Sequence, residues 1–368
     1  MKKLQVTIPK VEQGSYDVFI GSGILSTVWQ KLDDIFPQAN RFVITDLNVQ
    51  KSGHVKKLLG SCKTPMFVID PPGEVSKNID TVVSIVEAME KATLGRDSMI
   101  VALGGGTVGD IAGFAAAIFK RGIPVVQIPT TTVSQADSAI GGKTGVDSTM
   151  SKNAFGAFYQ PGAVFVDVDT LKTLDDRQFR SGLVESIKHA LIADANYFEY
   201  FENNIDDILE RDTAALEKIM QLNCKIKADV VQLDPTEQNK RRILNYGHTV
   251  GHAVESVSGF EFLHGEAIAI GIIAAGNIEI QLGIGSKDRL ERVKNMLVKL
   301  GMPLNIPKTL AKNKLIDIIK RDKKAINKWP RFVLIDEIGC ALCTDGQWAN
   351  EVKQKLVESV LDILYEQK

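Results

Sequence analysis

Two kinds of hydrophobic spacing divide the chain. Through about residue 173, short apolar runs at 41–45, 66–70, 99–103, 125–128 and 163–167 each end in polar or turn residues, as buried strands do. Between the second and third runs, Ile79, Val82, Val83, Val86 and Met89 recur at helical spacing. This β-α-β alternation predicts an α/β unit with a mainly parallel sheet, helices on its faces and ligands at the carboxyl ends of its strands. From Asp175 onward the rhythm is helical, over 177–205, 213–233, 242–257, 265–282, 288–300 and 309–320, with Gly259, Gly283, Gly301 and Pro303 as stops. A strand pair around 332–342 and a helix over 350–366 close the chain. The expected organisation is an N-terminal α/β domain over 1–173 and a mainly α-helical C-terminal domain over 174–368.

Composition narrows the function classes. The 368 residues carry 44 Lys+Arg against 45 Asp+Glu, a net charge of −1, which argues against nucleic acid held by bulk charge but leaves room for a local basic pocket. Hydrophobic residues at 44% and charged residues at 24% exclude a disordered chain. The apolar run 267–276 stops at Asn277, short of the ~20 residues a membrane helix needs. Residues 1–7 lack the apolar core of a signal peptide. Cys62, Cys224, Cys340 and Cys343 are too few for a disulfide framework in a chain of this length. A soluble cytoplasmic protein without nucleic-acid or membrane partners is expected. Cys340-Ala-Leu-Cys343 has no second pair and lies on a predicted strand, where the two sulfurs take opposite faces; packing is the expected role.

Three motifs carry chemistry. Gly104-Gly105-Gly106-Thr107-Val108-Gly109-Asp110 contains G-x-G-x-x-G, follows the strand at 99–103 and opens an apolar helix. Such a turn lets backbone N–H groups approach a pyrophosphate; it can equally serve close helix–strand packing. The acid usual about 20 residues downstream is missing, and Asp46, at the end of the strand at 41–45, is placed to hold a ribose instead. Next, Gly141-Gly142-Lys143-Thr144-Gly145 and Ser151-Lys152-Asn153 set glycines beside lysines, which suits a loop folded over an anion. Finally, His248, His252 and His264 are three of only five histidines, close to Glu255 and Glu266. Residues four apart on a helix share a face, so His248 and His252 can both reach one divalent metal, with zinc the natural choice for imidazole and carboxylate.

In order along the chain, these motifs resemble the 3-dehydroquinate synthase family, and the likeness covers almost the whole sequence. It rests on Pro72-Gly73-Glu74-x-x-Lys77, the 104–110 turn, Lys120-Arg121-Gly122, Pro129-Thr-Thr-Thr132, Asp137-Ser138 and Gly141-Gly142-Lys143-Thr144. It continues through Lys152-Asn153-x-x-Gly156-Ala157-Phe158-Tyr159-x-Pro161, Gly182-Leu-x-Glu185-x-x-Lys188, Leu244-Asn245-x-Gly247-His248-Thr-x-Gly251-His252, His264-Gly-Glu266 and Asp322-Lys323-Lys324. Asp147, Ser151 and His189 depart from the family's usual residues.

The resemblance implies a Rossmann-like, dehydroquinate synthase-like fold that uses NAD and Zn²⁺ or Co²⁺. By it, Asp46, Asn48, Glu74, Lys77, Gly104, Gly105, Gly106, Asp110, Thr130, Thr131, Asp137, Lys143, Lys152 and Thr173 contact NAD. Glu185, His248 and His264 hold the metal, a set that differs from the helix pair. Lys143, Asn153, Lys188, Lys227, Arg241, Asn245, His252 and Lys324 surround a sugar acid phosphate, and Arg121 reaches the partner's substrate phosphate in a homodimer. The implied reaction turns 3-deoxy-D-arabino-heptulosonate 7-phosphate into 3-dehydroquinate and phosphate by transient oxidation, β-elimination, reduction, ring opening and aldol closure. It is a lyase reaction of the shikimate pathway. Alternatives are a related cyclase such as 2-deoxy-scyllo-inosose synthase, a metal-dependent polyol dehydrogenase, and an inactive binding protein.

Overall fold

The five apolar runs form strands because each is flanked by turn residues and buried in the sheet, the edge strand at 66–69 only in part. The computed structural model describes residues 14–259, 261–320 and 329–365. Its strands are β1 (Asp17–Gly21), β2 (Asn40–Asp46), β3 (Met66–Ile69), β4 (Ser98–Gly104), β5 (Val125–Pro129), β6 (Lys143–Val146), β7 (Phe155–Phe158) and β8 (Ala163–Asp167). Six of them make one sheet in the order β1-β8-β5-β4-β2-β3, and every pairing in it is parallel. Strand β1 was not foreseen, nor was the antiparallel hairpin of β6 and β7.

Side-chain alternation sends the strands' apolar residues to two opposite cores. Phe42, Ile44, Ile100 and Ala102 pack under α4 (Ile79–Lys91) and α5 (Gly106–Ile118). Val43, Met99, Val101, Leu103, Val126 and Ile128 pack under α1 (Val28–Ile35) and α3 (His54–Leu59), while the short α2 (Leu47–Lys51) follows β2 directly. Each such fully buried aliphatic side chain contributes about 1.5–3 kcal/mol relative to exposure.

The second half is a helical bundle of α6 (Asp176–Ala193), α7 (Ala195–Leu209), α8 (Thr213–Leu233), α9 (His248–Val257), α10 (His264–Gln281), α11 (Lys287–Lys299), α12 (Lys312–Lys320) and α13 (Gln354–Leu364), with a small strand pair, β9 (Ile335–Glu337) and β10 (Cys340–Ala341). Two expected helices differ. The pattern at 177–205 is interrupted at Asp194, which is extended and caps α7 through Tyr197 N. The pattern at 242–257 becomes a 3₁₀ turn, Lys240–Asn245, and then α9, because Gly247 at φ 77° breaks the helix. Helix α10 is apolar all round and lies at the bundle's centre, as such a helix must. Glycines let its neighbours approach: a Cβ on Gly265 would lie 1.8 Å from Ser181 O of α6, and one on Gly271 would lie 1.9 Å from Gly247 O. Val164 and Val166 of β8 share this core with the helices, so the sheet and the bundle are packed together. Cys340 and Cys343 are exposed, which corrects the expectation that they pack.

Candidate active site between sheet and bundle

From β2 the chain runs to β3 on one side, and from β4 to β5 on the other. The sheet's switch point therefore lies between the carboxyl ends of β2 and β4, where doubly wound sheets bind ligands. Asp46 and Gly104 end those two strands. The Asp46 carboxylate caps α2 by accepting Val49 N–H at 2.9 Å. None of Gly104, Gly105 and Gly106 has a positive φ; small size is what the turn demands. A Cβ on Gly104 would meet Val108 at 2.5 Å, and one on Gly105 would meet Thr131 at 3.0 Å. Close packing and an open backbone coexist in this turn. Beside it, Lys77 and Asp110 form a pair at 2.6 Å, and Lys152 stands 3.2 Å from Glu74.

Helix α6 carries Glu185 and Lys188 one turn apart, both fully buried, and presents them to the first turns of α9 and α10. His264 begins α10, and that helix end is fixed by Glu266, which accepts Leu263 N–H and a bidentate contact from Arg177. Glu266 is thus a capping residue rather than a member of the histidine cluster. Glu185 Oε1 lies 3.5 Å from His248 Nε2 and 3.3 Å from His264 Nε2. Among the described residues, no hydrogen bond of good geometry reaches that buried oxygen. His248 donates Nδ1–H to the Tyr246 carbonyl at 2.9 Å, which leaves its Nε2 a lone pair aimed at Glu185.

The electrostatics of the cluster differ from group to group. Burial opposes charge on Glu185, but Lys188 and then His248 outweigh it and hold the carboxyl well below its usual range. Burial holds His248 well below the usual imidazole range. Burial also opposes charge on His264, yet Glu185 and Glu255 push it up to about 9. A buried carboxylate oxygen facing two imidazole nitrogens is a donor set that fits a divalent metal. His252 shares the cluster, since nitrogens of His248, His252 and His264 lie within 4.8 Å of one another.

Cationic groups line the adjoining space. Asp137, in a π-helical turn over Ser134–Ser138, pairs with Lys227 of α8, and stands 3.8 Å from Lys188 and 3.6 Å from His189. Lys188 also pairs with Glu185. Burial would lower Lys188, but the carboxylates of Asp137 and Glu185 raise it; for Lys227 burial prevails over Asp137, and its pKa is pushed down to about 8. Glu237 pairs with Lys143 and accepts from Asn245 Nδ2 at 2.7 Å. Arg241 is wholly buried and donates to the carbonyls of Pro235 at 2.6 Å and Gly141 at 2.8 Å, so it also braces the glycine loop.

The structure thus gathers Lys143, Lys188, Lys227, Arg241, Asn245, His252 and the three expected metal ligands. Among the others, Arg121 is exposed in the 3₁₀ turn that follows α5, Asn48 and Asn153 are exposed, and Thr173 bonds to His54 Nε2 at 2.8 Å. Thr130 donates its N–H to Gly104 O at 2.9 Å, joining it to the glycine turn. Lys324 lies outside the described residues. Sequence reasoning gave no role to Glu237, and none of its own to Glu255, which lies three residues after His252 on α9; that spacing was the available signal.

The fold and site define a class: a doubly wound sheet with a glycine turn at its switch point, joined to a helical bundle bearing a histidine–carboxylate centre. The chain belongs to the 3-dehydroquinate synthase family, whose N-terminal model matches residues 54–181 and whose C-terminal model matches 182–325. It is 42% identical over 314 residues to the 3-dehydroquinate synthase of Symbiobacterium thermophilum, covering 84% of this chain and 88% of that one. Among solved structures it resembles the 2-epi-5-epi-valiolone synthase of Streptomyces hygroscopicus subsp. jinggangensis 5008 with NAD⁺ and Zn²⁺ bound (TM-score 0.87, 28% identity, 98% and 99% of the two chains). It also resembles 2-deoxy-scyllo-inosose synthase complexed with carbaglucose-6-phosphate, NAD⁺ and Co²⁺ (TM-score 0.85, 27% identity, 94% and 95%).

Proposed function

We propose that the chain carries out its family's reaction, conversion of 3-deoxy-D-arabino-heptulosonate 7-phosphate to 3-dehydroquinate and phosphate, with NAD⁺ and a divalent metal and no net redox change. One observation carries the reading: Glu185 faces two imidazole nitrogens with one oxygen and pairs with Lys188 through the other, so a metal-binding group and an anion-binding group share one helical turn.

Glu185, His248 and His264 hold the metal in this reading. Asp46, Asn48, Glu74, Lys77, Gly104, Gly105, Gly106, Asp110, Thr130, Thr131, Asp137, Lys143, Lys152 and Thr173 form the dinucleotide site. When bound, the two cofactors supply a hydride acceptor that later returns the hydride and a Lewis acid for the sugar hydroxyls. Lys143, Lys188, Lys227 and Arg241 bind carboxylate and phosphate by charge-assisted hydrogen bonds, with Asn153, Asn245 and Lys324 completing the pocket. His252 stands beside the metal cluster as an acid–base or hydrogen-bonding group. Lys227, at about 8, is able to hold or give up a proton near neutral pH.

The proposed domains are 1–173 and 174–368, and the proposed assembly is a homodimer in the cytoplasm. Exposed Ile118 at the end of α5, and Phe155 and Phe158 on the hairpin, support an interface near Arg121. The test is to incubate purified protein with the heptulosonate phosphate, Zn²⁺ and substoichiometric NAD⁺. Phosphate should form stoichiometrically with the substrate, with no build-up of NADH absorbance. One-for-one consumption of NAD⁺ would point to a dehydrogenase and overturn the proposal.

A further inference from the structure

We propose that Glu255 is a positioning residue of the metal centre: its carboxylate fixes the His264 ring from the Nδ1 side, so that Nε2 faces Glu185. The inference rests on the metal reading above and extends it to a residue that reading does not use.

The geometry is that of a ring held at both edges. His264 Nε2 lies 3.3 Å from Glu185 Oε1, and its Nδ1 lies 3.7 Å from Glu255 Oε2. His248 is arranged alike, with Nδ1 on the Tyr246 carbonyl and Nε2 toward the same Glu185 oxygen. Both imidazoles thus face an outer oxygen with Nδ1, at 2.9 Å in His248 and 3.7 Å in His264, and turn Nε2 inward, the pattern by which outer acceptors set the tautomer and orientation of metal-binding histidines.

Glu255 is itself constrained. It is buried at 8% exposure on α9, the helix that also carries His248 and His252. Its other oxygen lies 3.4 Å from Lys152 Nζ, which supplies the opposite charge a buried carboxylate requires. Glu255 Oε2 therefore stays directed at His264 while Oε1 is anchored elsewhere. A purely structural ion pair with Lys152 would not need the second oxygen to face a histidine.

Zinc affinity, measured by chelator competition on the purified full chain, tests this directly, with visible absorption of the Co²⁺-substituted protein reporting ring orientation. Glu255→Ala should bind zinc 10–100-fold more weakly and shift the cobalt bands. Glu255→Gln should recover most of the affinity, because its amide oxygen can take the same place facing Nδ1–H. If Glu255→Ala fails to fold, Glu255→Asp takes its place: it keeps the charge but withdraws the oxygens by one methylene, and should also weaken zinc and shift the bands. Wild-type affinity and spectrum in Glu255→Ala or Glu255→Asp, beside a zinc-poor His264→Ala, would overturn the proposal alone. A His264→Ala protein that keeps wild-type zinc affinity would instead overturn the metal reading, and this inference with it.

Discussion

Lys188 lies one helical turn beyond Glu185, and their fully buried side chains form an ion pair where the sheet meets the bundle. Removing one partner of a buried pair leaves the other charge uncompensated, at a cost of about 3–5 kcal/mol. Lys188→Ala should therefore lower the unfolding temperature as well as activity. Catalytic efficiency should fall by tens to hundreds of fold, on the order of 2–4 kcal/mol for one lost charge-assisted contact. Arg241→Ala should show a similar kinetic loss and also loosen the Gly141 loop. In both, NAD⁺ affinity measured by titration should stay close to wild type; a tenfold loss there with unchanged substrate kinetics would assign these residues to the dinucleotide.

Metal content separates the two ligand sets, His248 with His252 and Glu185 with His248 and His264, which share His248. Purified His248→Ala and His264→Ala should be largely zinc-free. His252→Ala should stay near-stoichiometric in zinc and lose turnover by ~10²–10⁴-fold, as for a lost acid–base group. A zinc-free His252→Ala protein beside a zinc-loaded His264→Ala protein would restore the helix-pair reading.

Glu279, buried on α10, is pushed up to about 7 by burial, against the Ile335 N–H and Arg289 that favour its charged form. Its usual pKa is 4.5, so between about pH 4.5 and 7 the folded protein holds this proton more tightly than the unfolded chain. The stability Glu279 contributes is thus fully present below that window, falls as pH rises through it, and is level above. Glu279→Gln cannot titrate. Relative to it, the wild type should lose on the order of a few kcal/mol between pH 4 and pH 8 in urea denaturation. A pH-independent difference between the two proteins would refute the assignment.

Gly271→Ala tests the contact that sets α9 against α10. The added Cβ would stand 1.9 Å from Gly247 O and 2.8 Å from Gly251 N, both backbone atoms that cannot swing aside. A loss of about 1–3 kcal/mol or more is expected, read as a lower unfolding temperature. Zinc retention should fall with it, because His248 and His264 begin the two helices being forced apart.

The proposed role of Arg121 across a dimer predicts complementation. Arg121→Ala and Glu185→Ala, each inactive alone, should regain activity when their subunits exchange, because the Glu185→Ala subunit lends its Arg121 to the partner's intact metal site. No recovery, with exchange confirmed, would argue against the shared site.

The five expected strands were legible because short apolar runs mark them, Gln127 being the one polar residue inside a run, and their observed limits lie within about a residue of those runs. The hairpin was not: Lys143–Val146 and Phe155–Phe158 are half exposed and contain glycine, so neither alternation nor an apolar run marks them. The break at Asp194 was hidden because α6 and α7 both bury apolar residues right up to it. In the site, rarity exposed the histidines, and the family likeness exposed most of the cations. Partners such as Glu237 and Lys143, 94 residues apart, meet only through the fold, and no local spacing announces such a pair.

The site's cations carry their own counter-ions: Lys143 has Glu237, Lys188 has Glu185, and Lys227 has Asp137. If these cations bind the ligand as proposed, an anion enters by exchange, competing with carboxylates that the fold tethers in place. A ligand with one negative group replaces one tethered partner and gains little from the swap. A ligand with anionic groups at both ends replaces several at once, and frees carboxylates beside the very hydroxyls it brings. On the proposed function, the pocket is in this sense a threshold device, selecting by number of charges before it selects by shape.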